Sequence, residues 1–310
     1  MTIIRGLIPR SLVPGIHEFV GLSYGAVEEE HKPLFDILTS KRAFEEEVML
    51  SGMGGAPTKA EGAAVTFDDI QETYTSRYTM ETIAIGFSVT KEAFDDDLYG
   101  NIARAKSTEL GRAMADTKQS KAAAIFNRGF NTSYKGGDGV PLFSASHPLV
   151  GGGTASNTAA VDISESAIED MLVSINLMTN DRGILISARP VSLHIPAQSE
   201  YIATKILKAE YSSAPVRNQA NTDNVGGILL QPNLVSTKFP GGIHVNRRFT
   251  DNDCWFIKTS VTNGAKMFVR EALNGSNNTD FGTDNALFKF RERYAFGWTD
   301  WRGYVGSQGA

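Results

Sequence analysis

Residues 286–309 constrain the fold more than any other stretch of this chain. Phe288 and Phe290 fall on one face of an extended segment, and Lys289 and Arg291 fall on the other. Tyr294, Phe296 and Trp298 continue the alternation. A period of two is the strand signature. A terminal segment frays unless something ties it down. This one carries Trp298 and Trp301, two of the three tryptophans, so it is expected inside a sheet.

A second constraint lies at residues 44–88. Two β-prone flanks, 44–50 and 74–88, bracket a tip of small residues from Ser51 to Ala64 that includes Gly52, Gly54, Gly55 and Gly62. The returning arm alternates Thr73, Thr75, Arg77, Thr79 and Glu81 against Tyr74, Ser76, Tyr78, Met80 and Thr82. Polar residues stand on both faces, so neither is an obvious core face. A two-stranded ribbon alone is marginal in water, and this one would be more stable lying on another molecule. Residues 1–27 pose a similar problem. Their Gly and Pro content leaves no room for a long regular element. Yet Ile3, Ile4, Leu7, Ile8, Leu12, Val13, Ile16, Phe19 and Val20 are too apolar for a solvated tail. The segment must cover itself, either on its own chain or, as an arm, on a neighbour.

The rest reads as α+β without regular βα alternation. Residues 28–39 suit a short helix with Leu34, Phe35 and Leu38 on one face. Residues 91–130 suit a long one, with Thr90 as cap and Gly100 as a break after a first short piece. Its expected stripe is Phe94, Leu98, Ile102, Ala105, Leu110, Ala113, Met114, Ile125 and Phe126. Ser164 opens a further helix carrying Ile168, Met171, Leu172, Ile175 and Met178, with Gly183 as its stop. A strand is expected over 184–195, a helix over 197–209 and short strands over 225–271. His194, alternating with Leu193 and Ile195, belongs on the second face of its strand. No internal repeat is visible.

Composition narrows the function classes. At 310 residues the chain exceeds the common single-domain size. A formal net charge of −5 argues against binding nucleic acid by phosphate neutralisation, though not against enclosing it. The single cysteine, Cys254, rules out an intrachain disulfide. With no secretory signal visible, a reducing compartment is expected. No segment approaches the ~20 apolar residues that span a bilayer, so no membrane partner is expected.

Enzyme-like motifs weaken on inspection. Gly21-Leu22-Ser23-Tyr24-Gly25 fits the nucleophile-elbow pattern, which would make the chain a serine hydrolase using Ser23. That chemistry needs a serine on a strand-to-helix turn above a parallel sheet, and few strands can precede residue 23. The histidines, His17, His31, His147, His194 and His244, show no metal-ligand spacing, and His147 reads as structural. The glycine-rich stretches at 52–55 and 151–153 lack a phosphate loop's Gly-Lys-Ser/Thr and read as flexible turns. Asp280-Phe281-Gly282 copies a kinase tripeptide without other kinase elements. The acidic triplets at 28–30, 45–47 and 95–97 read as solvated faces or helix starts, or as partners for a neighbour's basic residues. Cys254 reads as a buried thiol. No catalytic, cofactor or metal residue is assigned.

Two motifs together carry a resemblance. Gly139-Val140-Pro141-Leu142-Phe143-Ser144-Ala145-Ser146-His147-Pro148, followed by a Gly/Ser/Thr/Asn-rich stretch, resembles the mid-chain signature of Mu-type phage major head subunits. Arg293-Tyr294-Ala295-Phe296-Gly297-Trp298-Thr299-Asp300-Trp301-Arg302-Gly303 resembles the C-terminal strands of the same family. The similarity runs nearly end to end. It implies a tailed-phage major capsid protein of the Hong Kong 97 type fold. By that resemblance, 1–43 forms an N-terminal arm and short helix, and 44–88 an extended loop draped over the adjacent subunit. Residues 89–163 form a peripheral domain with a spine helix and 164–270 an axial domain. Residues 271–310 are strands returning to the peripheral domain. The assembly-contact residues expected are Ile3, Ile4, Leu7, Phe44, Met53, Lys59, Glu61, Phe67 and Arg77. The implied partners are copies of the chain in pentamers and hexamers, a separate scaffold protein, a portal, a decoration protein, and packaged DNA held without sequence readout. The scaffold is expected to be separate because no long scaffolding segment precedes the first core-like elements. A nanocompartment shell around an enzyme cargo is the nearest rival, and another virion component such as a tail protein is a third.

Overall fold

The computed structural model describes residues 8–90, 92, 100–209, 211–213, 230–233, 235–283 and 285–310. In chain order the elements are α1 (Ile8–Gly25), β1 (Asp36–Thr39), β2 (Phe44–Leu50), β3 (Glu72–Thr79), β4 (Glu81–Val89) and α2 (Gly100–Asn127). Then come β5 (His147–Pro148), β6 (Thr154–Ala155), β7 (Thr158–Ala159), α3 (Glu165–Asn176), β8 (Pro190–Pro196) and α4 (Glu200–Lys208). The chain continues through β9 (Tyr211–Ser213), β10 (Leu230–Pro232), β11 (Ile243–Asn246), β12 (Trp255–Thr259), β13 (Ala265–Thr279), β14 (Ala286–Trp298) and β15 (Tyr304–Ser307). Two compact units result. One takes the chain up to Glu46 with Arg77–Ile125 and Lys266–Gly297, the other Glu47–Ser76, Phe126–Ala265 and Trp298–Ala310.

The first unit is built on a four-stranded sheet in the order β1-β13-β14-β4. β1 runs parallel to β13, and β14 runs antiparallel to β4 from Ala286↔Val89 to Tyr294↔Glu81. On β14 the alternation expected from the sequence holds through Tyr294, with Phe288, Phe290, Glu292 and Tyr294 buried and Leu287 and Lys289 exposed. Ile16 and Val20 of α1 and Leu110 and Met114 of α2 close the core over Phe288 and Phe290.

A helix over residues 8–25 contradicts the expectation of no regular element there. Tertiary burial overrides weak propensity. Ile16 and Val20 lie one turn apart and are fully buried. Gly111 lets the two helices approach, since a Cβ there would lie 2.6 Å from the Val20 carbonyl oxygen and collide with Ser23 Oγ. The expected short helix over 28–39 is also absent. Residues 30–35 form turns in which Leu34 and Phe35 amides donate to the His31 carbonyl. Residues 36–39 are drawn onto the sheet edge as β1 instead, leaving Leu38 exposed.

The described part of the long helix begins at Gly100 and covers 28 residues, roughly 42 Å at about 1.5 Å each. Its buried stripe is Ser107, Leu110, Gly111, Met114, Ala115, Gln119, Ala122, Ala123 and Phe126, and Ala105 and Ala113 face outward instead. Gln119 is drawn inward because its Oε1 accepts from the His31 backbone amide at 2.9 Å. Phe94, Leu98 and the acidic residues at 95–97 lie outside the described residues.

The second unit holds a five-stranded sheet, β11-β8-β12-β15-β7. Strand alternation divides its side chains. Leu193, Ile195, Trp255, Ile257 and Val305 meet Ile168, Met171, Leu172 and Ile175 of α3 and Ala203 and Leu207 of α4. Each large side chain taken fully out of water here is worth roughly 1.5–3 kcal/mol. His194, Phe256 and Tyr304 point the other way, as the alternation around His194 requires. There Phe126 meets Phe143, Phe249, Phe256 and Tyr304, with ring centroids 4.9–6.3 Å apart. Ser164 caps α3, its hydroxyl accepting from the Ala167 amide. The helix ends at Asn176 rather than at Gly183. Gly183 instead takes φ +83° in the turn where Thr179 bridges Leu185. The strand expected from 184 starts only at Pro190.

These units divide the chain differently from the expected boundaries. Residues 126–163 group with 164–265, and β15 pairs with β12 and β7. Residues 298–310 therefore do not return to the unit that holds most of α2. The expected 44–88 hairpin is also shorter: β2 and β3 form it, whereas β4 leaves to pair with β14.

Candidate assembly surface

Strands β2 and β3 make a two-stranded ribbon that pairs with no other strand among the described residues. The ribbon has one covered face. On β3, Ser76 and Tyr78 are buried, and Met80 follows them. The Tyr74–Met80 face is thus the core face that polar content obscured in the sequence. Tyr78 and Met80 contact Phe268 and Ala295 in the first unit, and Tyr74 Oη donates to the Thr299 carbonyl at 2.9 Å in the second. On β2, Glu45, Glu47 and Met49 turn inward, while Phe44, Glu46, Val48 and Leu50 are exposed. An open stripe of period two results, apolar except at Glu46. Arg77 covers part of it, its guanidinium 3.9 Å from the Phe44 ring centroid and 3.4 Å from Glu46.

Beyond Leu50 the chain runs to Glu72 without regular structure. Met53 is 53% exposed, Val65 60% and Phe67 93%. Lys59 and Glu61 are exposed at the turn where the Ala63 amide donates to the Ala60 carbonyl. The small residues between them bury nothing. Of the expected contact residues, the structure gathers Phe44, Met53, Lys59, Glu61, Phe67 and Arg77 on this one ribbon. Ile3, Ile4 and Leu7 lie outside the described residues. Val48, Leu50 and Val65 belong to the same exposed set. The alternation at 44, 48 and 50 could have signalled the first two.

The root of the tip is firmly built. Asp68 Oδ2 accepts from the Gly54 amide at 2.7 Å, and Asp68 Oδ1 from Arg182 Nη2 at 2.9 Å. Asn180 Nδ2 donates to the Met53 carbonyl at 3.2 Å. Asn180 Oδ1 accepts from the backbone amides of Arg182 and Ile184. Gly52 has φ +73°, and a Cβ there would lie 3.0 Å from Asn180 Nδ2. One at Gly54 would lie 3.0 Å from Asp68 Oδ2. These glycines serve close approach, not the flexibility expected of them. Hydrogen bonds from Gly54 and Asp69 amides and the charge of Arg182 hold the Asp68 carboxyl below its ordinary value.

The two sequence motifs meet in the second unit. His147 is fully buried and stacks on Trp301, centroids 4.3 Å apart and planes 8° from parallel. Its Nδ1 lies 2.6 Å from Asp138 Oδ2 and its Nε2 3.0 Å from Asn157 Oδ1. Asn157 Nδ2 is directed to the carbonyls of Leu142, Trp301 and Tyr304. Beside it, Arg302 reaches Asp181 at 2.6 Å and Asp300 at 3.4 Å, all three buried. Both ring nitrogens of His147 are engaged and covered, so the arrangement joins segments rather than presenting a base.

The remaining candidates have local roles. Ser23 lies within α1, its hydroxyl donating to the Phe19 carbonyl at 2.8 Å. It therefore does not occupy a strand-to-helix turn. Cys254 is a free buried thiol that burial pushes up to about 12. Glu45, Glu46 and Glu47 find partners within the chain, in Ser40, Arg77 and Thr299. Gly152 and Gly153 take positive φ in a turn. Among the described residues, no group of three or more His, Cys, Asp or Glu could hold a metal ion. No described helix is long and apolar enough to cross a membrane.

The fold is similar to the capsid of an empty GTA particle, with TM-score 0.54 and 12% identity over 90% of each chain. It is similar to the capsid of cyanophage P-SCSP1u, with TM-score 0.54 and 10% identity over 89% of this chain and 86% of that one. A virus-like particle from Pyrococcus furiosus matches with TM-score 0.51 and 10% identity, over 94% and 95%. These likenesses establish the fold as the Hong Kong 97 type expected from the resemblance. No curated protein matches. The family model described as phage capsid protein matches residues 72–307, and the chain belongs to the phage capsid protein family.

Proposed function

We propose that this chain is the major head protein of a tailed phage, closing rings of five and six copies into an icosahedral shell around double-stranded DNA. The observation that carries the reading is the ribbon of residues 44–79. Its apolar stripe and tip are exposed on the chain itself, in a member of a capsid family. Open two-stranded edges and contiguous exposed apolar side chains invite a partner. A head-to-tail contact between copies generates closed rings, and the partner for this surface is a second copy. Phe44, Met53, Lys59, Glu61, Phe67 and Arg77 are the contact residues. Ile3, Ile4 and Leu7 would add an N-terminal arm. A separate scaffold protein, a portal at one vertex and a decoration protein are the further partners that the family reading implies, with assembly in the host cytoplasm. The negative net charge favours holding DNA by enclosure over affinity.

Negative-stain imaging and sedimentation of the purified chain, with and without a co-expressed scaffold candidate, test this reading. Closed shells support it, and a monodisperse monomer at high concentration under both conditions refutes it. The likeness to the Pyrococcus furiosus particle favours a second reading, a compartment around protein cargo. The content of purified native particles separates the two, since DNA supports the head protein and an enzyme supports the compartment.

A further inference from the structure

The root of the ribbon tip carries more construction than a passive loop needs. Three side chains from two separate segments converge on residues 52–54. Asp68 binds the Gly54 amide and thereby closes the tip on itself. Arg182 binds the same carboxylate. Asn180 Oδ1 fixes its own turn by accepting from two backbone amides, and its Nδ2 donates to the Met53 carbonyl. A Cβ at Gly52 or Gly54 would crowd these groups at 3.0 Å, and Gly52 also takes φ +73°. Past this root residues 55–67 are exposed throughout.

We propose that Asp68, Asn180 and Arg182 are positioning residues that set the direction in which the tip leaves the subunit, so that it meets a second copy of this chain already oriented. The inference rests on the reading of the tip as an assembly contact. Its physical basis is pre-organisation. A tip held in one direction loses less freedom on docking than one that swings about its root, so more of its contact free energy appears as adhesion. The pair is partly exposed, Arg182 at 28% and Asp68 at 38%, so salt screens it. The dock therefore steers the tip, while the subunit's fold stands on the buried core under α3 and α4.

Charge reversal tests the dock. Asp68→Arg and Arg182→Asp are compared singly and together, by light scattering under conditions where the full chain assembles. Hydrogen exchange over residues 52–67 and the melting temperature are read on the unassembled subunit. Each single reversal should slow assembly several-fold and speed exchange at the root, with the melting temperature unchanged. The double reversal should recover part of both, because it restores the ion pair but not the acceptor for the Gly54 amide, and raised salt should slow the unaltered chain toward the single variants. Single reversals that assemble at the unaltered rate overturn the proposal, as does a double reversal that recovers nothing. If a reversal lowers the yield of folded subunit, Arg182→Gln drops the charge and reads the same contact. Deletion of residues 55–67 separates this inference from the reading beneath it. If the deletion blocks assembly while the reversals do not, only the dock is wrong. If the deleted chain forms normal shells, the reading of the tip as an assembly contact falls, and the dock with it.

Discussion

Glu292 Oε2 lies 2.6 Å from Lys118 Nζ, with Glu292 wholly buried and Lys118 only 13% exposed. The Tyr24 hydroxyl donates to the same carboxylate oxygen at 2.9 Å, which ties α1, α2 and β14 at one point. Removing one partner of a buried pair leaves a charge without compensation, at a cost of about 3–5 kcal/mol. Lys118→Met should destabilise the unassembled subunit by roughly that amount in urea unfolding. Lys118→Met with Glu292→Leu should cost less than the single change, because no charge is stranded. A single variant within about 1 kcal/mol of the unaltered chain would show that water reaches the pair.

Gly264 and Gly303 touch backbone to backbone. A Cβ on Gly303 would lie 2.5 Å from the Gly264 Cα, and one on Gly264 would lie 3.1 Å from the Gly303 Cα. No flexible side chain can yield at this contact. Gly303→Ala should lose about 1–3 kcal/mol through overpacking, and Gly264→Ala should lose less. Equilibrium unfolding of both variants checks the order.

Burial, with help from His244 and Lys258, holds His194 well below its ordinary value of 6.5. Burial also lowers its stacked neighbour His244. The folded subunit therefore binds fewer protons than the unfolded chain once pH falls below about 6.5. Stability should be level near pH 7–8 and fall as pH drops through 6.5 toward 5. His194→Gln, neutral throughout, should flatten that slope. A slope unchanged by the substitution would place the acid sensitivity elsewhere.

Phe67→Ser and Met53→Ser probe adhesion apart from folding. Both side chains are exposed on the single chain, so subunit stability should move by no more than about 0.5 kcal/mol. Shell yield by sedimentation should fall for each and fall further for the pair. Normal yield from the double variant would remove these two residues from the contact.

Much of this was legible in the sequence. Alternation in residues 286–294 marked β14, and Leu193-His194-Ile195 announced which side chain faced which layer. What stayed hidden depended on contacts distant in sequence. Gly and Pro in residues 8–25 argued against a helix that burial of Ile16 and Val20 enforces. Polar alternation on β3 hid its covered face because Tyr74 and Ser76 are polar yet turned inward. The dock was hidden for the same reason: Asp68 and Arg182 stand 114 residues apart, and neither belongs to a periodic pattern. The Gly52 and Gly54 spacing was visible, but its cause was not.

Hydrogen exchange over residues 55–67, compared between unassembled subunits and closed shells, bears most directly on the claim that this tip is completed by a second copy. Rapid exchange in the free subunit and marked protection in the shell are the predicted result. Equally rapid exchange in both states would contradict the account.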